Sequence, residues 1–229
     1  MKKLPVSMTA TEKTMGWIYW ALQLLAIPAA LTMIATHFGW ALSEAQLNFL
    51  FFGVNFAVLT VMMHRFLGRS AKEGFQRPGR TLQSAFFGYV LYWVCSIAFG
   101  ALIAFLRPEF ANANDATILG MAKEDYTLIT IGTVILVPVA EELMYRGLIF
   151  GSLYNRSRVA AYIVSTLIFA AIHVVGYIGM WEPADLALSV LQYLPAGICL
   201  GWAYARSGTI WAPILMHMAI NQTSILTMR

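Results

Sequence analysis

At 229 residues the chain has the length of one domain, yet 59% of its residues are hydrophobic and 11% charged, with a mean hydropathy of +0.68. That balance excludes a soluble globular domain and describes a polytopic, all-α membrane protein. The net charge of +4 comes from basic residues between apolar runs, where they are topology signals, so nucleic acid is not an expected partner.

Lys2, Lys3 and Lys13 precede a first apolar run of about 20 residues, longer than the core of a signal peptide, and the run reads as a retained first span. Seven apolar stretches follow one another at residues 17–36, 47–63, 82–106, 126–150, 159–178, 186–205 and 209–227, which predicts about seven transmembrane helices. Alternate connections are basic: Arg65, Arg69, Lys72, Arg77 and Arg80 after the second span, Arg156 and Arg158 after the fourth, and Arg206 after the sixth. The intervening set carries Glu44, Glu109, Asp115, Glu124, Asp125, Glu182 and Asp185, with Arg107, Lys123 and Arg229 as its cations. The positive-inside rule then puts the amino terminus in the cytoplasm and the carboxyl terminus outside. Residues 68–80, with Gly74, Pro78 and Gly79, read as a solvated cytoplasmic linker able to lie along anionic headgroups, and residues 108–125 as the longest outer loop.

Cys95 and Cys199 fall inside predicted spans without CxxC spacing, and read as packing residues. Gly147, Gly151, Tyr154, Arg156 and Ser157 recur in the same spacing as Gly197, Gly201, Tyr204, Arg206 and Ser207. Small residues at that interval let helices approach closely, and both a duplicated hairpin and common membrane-helix composition account for the repeat.

Glu141, Glu142 and Arg146 interrupt the fourth apolar stretch. An ionised side chain at the bilayer centre costs about 2.5 to 3.5 kcal/mol on insertion scales, so such groups face a protein interior or a wet cavity. Glu142 and Arg146 stand one helical turn apart and pair, leaving Glu141 as the free carboxylate. A purely structural ionic lock is the competing reading. Pro138, three residues before Glu141, removes an amide donor, kinks the helix and frees a carbonyl near the acidic pair.

Four histidines are present, with His37 and His64 at membrane edges. His173 and His217 lie within the fifth and seventh spans, where each alone is as readily a helix-to-helix hydrogen bond as a catalytic group. His217 has Asn221 one turn on, and His173 has Phe169 one turn before it, a ring that walls the imidazole off from lipid. Counting about 1.5 Å of rise per residue from the basic end places Glu141 roughly 14 Å, His217 roughly 12 Å and His173 roughly 21 Å deep, a layer in the middle or cytoplasmic half. A carboxylate and an imidazole facing each other hold and deprotonate a water, while a second imidazole and an amide stabilise an oxyanion, which together are the parts of a peptide hydrolase.

Taken in order, EExxxR at Glu141, Glu142 and Arg146, FxxxH at Phe169 and His173, and HxxxN at His217 and Asn221 resemble the signature of the CAAX prenyl endopeptidase and bacteriocin-processing (CPBP, or Abi) family of intramembrane proteases. The stretch from Gly197 to Asn221, with Gly201, Tyr204, Gly208, Trp211, Ala212 and Pro213, is similar to that family's last motif region. The resemblance covers about the last 100 residues and implies one membrane domain over residues 1–229, with variable helices at 1–125 and a catalytic core of four helices at 126–229. It also implies that Glu141 and His173 activate water, that His217 and Asn221 form the oxyanion hole, and that Glu142, Arg146 and Phe169 support the site. The family is often labelled metalloprotease-like, although its better-understood members resemble glutamate proteases. Two histidines and two glutamates offer a zinc alternative without an HExxH motif, and the expectation is no cofactor.

The expected protein is thus an intramembrane endopeptidase of a bacterial plasma membrane, opening toward the cytoplasm, whose partners are the bilayer and a peptide or protein, lipidated or membrane-associated. A non-catalytic scaffold or immunity protein of the same fold, or a proton-coupled transporter, are the alternatives.

Overall fold

The computed structural model describes residues 3–227, which form a helical bundle without β-strands. The helices are α1 (Ala10–His37), α2 (Glu44–Met62), α3 (His64–Gln76), α4 (Pro78–Leu106), α5 (Ala113–Glu124), α6 (Tyr126–Tyr154), α7 (Arg158–Ile172), α8 (Pro183–Ser207) and α9 (Trp211–Thr227). Their starts are written in the sequence. Thr9 with Glu12 and Ser43 with Gln46 close capping boxes on α1 and α2, Asn112 and Ser157 cap α5 and α7, and Pro78 and Pro183 open α4 and α8. Gly208, at φ +81°, ends α8 in a left-handed turn that a β-carbon would strain.

The expected all-α polytopic fold is borne out. Among the described residues six helices are long and apolar enough to cross a bilayer: α1, α2, α4, α6, the segment from α7 to Tyr177, and α8. The seventh stretch folds as the 17-residue α9, roughly 25 Å long and short of a hydrocarbon core of about 30 Å. It starts late because Thr209 and Ile210 are held by Ser70 instead: Thr209 Oγ1 donates to the Ser70 carbonyl at 2.7 Å, and Ile210 N–H to Ser70 Oγ at 2.8 Å.

Those bonds also overturn the linker reading of residues 68–80. Most of that segment is helix α3, which buries Phe66, Leu67, Ser70 and Gly74 and turns Arg65, Arg69 and Lys72 outward. Buried Glu12 of α1 fastens it further, accepting from Phe66 N–H at 2.7 Å and from Arg69 at 2.9 Å. At the opposite end the long connection at 108–125 is ordered by α5, and Arg107 joins Asp185 at 3.0 Å. Contacts between helix ends thus keep the basic connections at one end of the bundle and the acidic ones at the other.

The repeated glycines do bring helices together. A β-carbon on Gly197 of α8 would lie 2.7 Å from Thr166 Cγ2 and 3.1 Å from its Cα, and one on Gly147 would lie 2.7 Å from Met8 Cε. Cys95 and Cys199 are free thiols. Gly197→Ala is expected to lower thermal stability in detergent by about 1 to 3 kcal/mol, through the overpacking of a backbone contact. Gly100→Ala, in α4 with nothing within 4 Å of the added carbon, is expected to be neutral or to stabilise by up to about 1 kcal/mol. Fluorescence-monitored melting of both variants checks the contrast.

Candidate active site

The acidic pair sits in α6, a helix whose hydrogen-bond register is disturbed. In α6, wide turns with an i to i+5 pattern occupy Gly132–Leu136 and Leu143–Phe150, on either side of the α-helical turn Val137–Glu142. Val137 N–H bonds the Gly132 carbonyl, five residues back. The next bond in that register would run from residue 138 to Thr133, and Pro138 has no N–H to give. The expected free carbonyl is therefore Thr133 O, and Asn221 of α9 donates to it through Nδ2 at 2.8 Å.

Glu142 and Arg146 pair as their spacing predicts, with Nη1 3.0 Å from Oε1 and both side chains fully buried. The same Oε1 accepts from His217 Nδ1 at 2.8 Å; a carboxylate oxygen only accepts, so His217 carries its proton on Nδ1 and turns Nε2 the other way. There it meets Glu141, whose Oε2 is 3.9 Å distant and receives no hydrogen bond from any described protein group. The Arg146 guanidinium lies 4.3 Å over the centroid of Phe169, a ring 2% exposed. Phe169 in turn packs 4.8 Å from His173 and 5.9 Å from His217, so it acts as the wedge between the two imidazoles as well as their cover.

His173 lies within the fifth span, as expected. It is the C-cap of α7, where the helix tightens: His173 N–H bonds Ala170 O at 3.3 Å and Val174 N–H bonds Ala171 O at 3.0 Å. The Phe169 carbonyl, left without the donor an α-turn would supply, accepts from His173 Nδ1 at 2.7 Å. As a carbonyl only accepts, the neutral imidazole offers Nε2 as its free acceptor.

Glu141, His173, His217 and Asn221 line one cavity of about 210 Å³. Its walls include residues that sequence reading passed over: Tyr92 of α4, Asn114 and Asp115 of α5, and Gln192 and Tyr193 of α8. Burial raises the Asp115 carboxyl above the usual range, against the opposing effects of the Tyr193 hydroxyl, His173 and Gln192. The cavity thus lies toward the end of the bundle that carries α5 and the acidic connections. The depth count from the edges of the apolar runs did not include α5, which folds back over the site. Glu141 also lines a second, largely apolar cavity of about 510 Å³ between α1, α2, α6 and α7, beside Leu24, Pro28, Phe51 and Met144. His37 ends α1 and His64 opens α3, and neither lines either cavity.

Among the described residues no three His, Cys, Asp or Glu side chains come close enough to hold a metal ion. The Nδ1 atoms of both histidines are occupied by Phe169 O and Glu142, which leaves Nε2 as the remaining nitrogen of each ring.

The helices and this cavity define an all-α integral membrane protein with a polar site enclosed by its spans. Residues 123–223 match the family model "Type II CAAX prenyl endopeptidase Rce1-like", which bears out the resemblance drawn from the three motifs. The chain is 27% identical over 147 residues to "Putative membrane peptidase YdiL" of Bacillus subtilis, covering 58% of this chain and 54% of that protein. It is 28% identical over 87 residues to "UPF0177 protein YxdF" of Lactococcus lactis, covering 38% of this chain and 42% of that protein. The chain therefore spans about half the length of the curated relatives it matches. No solved structure matches.

Arg146→Met strips a fully buried carboxylate of its cation and is expected to destabilise by about 3 to 5 kcal/mol. The double variant Arg146→Met with Glu142→Gln is expected to recover part of that loss, because no uncompensated charge remains. Thermal melts of the purified wild type, single and double variants read this directly.

Proposed function

We propose that the protein is an endopeptidase that hydrolyses a peptide bond inside the membrane with a water activated by Glu141 and His173. The observation that carries the proposal is the shared cavity, in which a carboxylate oxygen without a donor and an imidazole with a free Nε2 line the same space. Glu141 Oε2 accepts one proton of the water and His173 Nε2 the other; as the oxygen attacks the carbonyl carbon, one of them takes the proton and returns it to the leaving amine. Asn221 spends one amide hydrogen on Thr133 O and keeps a second for the carbonyl oxygen that gains charge. His217, held by Glu142, serves the same oxyanion from Nε2 when that nitrogen is protonated. Glu142, Arg146 and Phe169 brace these groups and touch no reacting atom.

Peptides that are membrane-associated or carry an apolar modification suit the site, because Glu141 is common to the polar cavity and to the apolar one beside α1 and α2. Residues 126–229 form the catalytic core on this reading, with the helices of 1–125 supplying walls. The alternation of basic connections orients the amino terminus to the cytoplasm and the carboxyl terminus outside, in a bacterial plasma membrane, and puts the α5 end of the cavity on the outer side.

Peptide mass mapping of membranes that contain the wild type or Glu141→Gln is the test. Fragments present with the wild type should fall by at least about 100-fold with Glu141→Gln and with His173→Ala, and a chelator should leave them unchanged. Equal fragment yields from wild type and Glu141→Gln would remove the peptidase reading and leave a scaffold.

A further inference from the structure

The proposed base His173 stands at the end of α7, where a side chain is least constrained by its own helix. Its Nδ1 is fixed by Phe169 O, and one face of the ring is covered by Phe169. The other neighbour is Tyr193 of α8, whose ring stacks on the imidazole at 4.3 Å between centroids and 27° between planes. Tyr193 is itself held from outside the core. Its hydroxyl accepts from Asn114 Nδ2 at 3.0 Å and donates to Asp115 Oδ1 at 3.3 Å. One residue earlier on α8, Gln192 donates to Asp115 Oδ2 at 3.5 Å, and its Oε1 accepts from Asn112 Nδ2 at 3.0 Å.

Asn112 is also the N-cap of α5, accepting through Oδ1 from the backbone of Asn114 and Asp115 at 2.9 and 3.2 Å. The turn that starts the helix is thus the turn that grips Gln192 and Tyr193. Asp115 and Tyr193 line the same cavity as Glu141 and His173. Four side-chain hydrogen bonds thus join the start of α5 to the middle of α8.

We infer that Tyr193 and Asp115 are positioning residues for His173: the first turn of α5, which precedes the family match, clamps Tyr193 so that its ring holds the imidazole with Nε2 toward the cavity. The inference deepens the peptidase reading and rests on His173 as the group that meets the water. Neither Tyr193 nor Asp115 touches a reacting atom. Loss of the clamp leaves the Nδ1 bond as the sole polar restraint on the ring, which then rotates or exchanges tautomers. Removal of such an outer partner characteristically reduces activity about 10- to 100-fold.

The test uses the full chain in detergent micelles with ¹⁵N-labelled histidine, the His173 signals being identified by their absence in His173→Gln. In the wild type, His173 is expected to show a single Nδ1-protonated tautomer. Tyr193→Leu and Asp115→Asn are expected to give averaged ring-nitrogen shifts at His173, with those of His217 unchanged as the control for intact folding. Tyr193→Phe, which keeps the ring, should show the smaller change. Where a cleaved peptide has been found, both disruptive variants should reduce kcat by at least 10-fold with KM within about twofold. Unaltered His173 signals in both Tyr193→Leu and Asp115→Asn overturn the inference, as does a wild-type His173 without the Nδ1-protonated form. Altered His173 signals in a protein that cleaves nothing sustain the clamp while removing the peptidase reading, so the two fail separately.

Discussion

The fold around the site depends on a single oxygen. Glu142 Oε1, sealed from solvent, accepts from Arg146 one turn along its own helix and from His217 on α9. A buried carboxylate is costly unless its charge is matched, and here the cation comes from α6 itself while a second donor to the same oxygen comes from α9. The bond therefore fixes α9 against α6 at one angular setting. That setting turns His217 Nε2 to Glu141 and carries Asn221, one turn further, to the carbonyl at Thr133. Arg146, drawn to Glu142, covers Phe169, and Phe169 sets the position of His173. Three helices, α6, α7 and α9, are thus registered by one acceptor and the aromatic ring beside it.

The second constraint is a deficiency in the backbone of α6. A regular α-helix already uses each interior carbonyl in its own ladder. The wide turn at Gly132–Leu136 shifts the pairing by one residue, and Pro138 then leaves Thr133 O without a partner. In hydrocarbon such a group has to be satisfied, and Asn221 does so. At the end of α7 a tightened turn gives the Phe169 carbonyl to His173. Both polar side chains are aimed by main-chain acceptors that irregular helical turns expose.

Much of this was legible in the sequence, for identifiable reasons. Lipid demands long apolar runs, so the spans were visible. The four-residue spacing of Glu142 and Arg146 predicted their pair, and Pro138 predicted a freed carbonyl. Other features were hidden because they belong to no periodic pattern. Helix α3 is short and rich in Arg and Lys, and its composition resembles a loop until Ser70 meets Thr209, 139 positions later. Asp115 read as one more outer-loop acid, although Asn112 ahead of it is a capping residue that announces α5. Gln192 and Tyr193, polar tips within an apolar helix, were the available sign that something outside α8 had to receive them. That His173 lies in the fifth span was legible from hydropathy, while the end of the regular helix at Ile172, which makes it a C-cap, was not.

Glu141 belongs to the walls of two rooms, one oily and one polar. On the proposed reading, this partition makes the reaction selective for a frontier within the substrate. A chain that is wet throughout gains nothing from the oily side, and a helix that is apolar throughout keeps its carbonyls locked in its own ladder. Only where a greasy anchor gives way to an unwound, hydrated stretch does an open amide arrive at the carboxylate, so the measuring device is the wall itself.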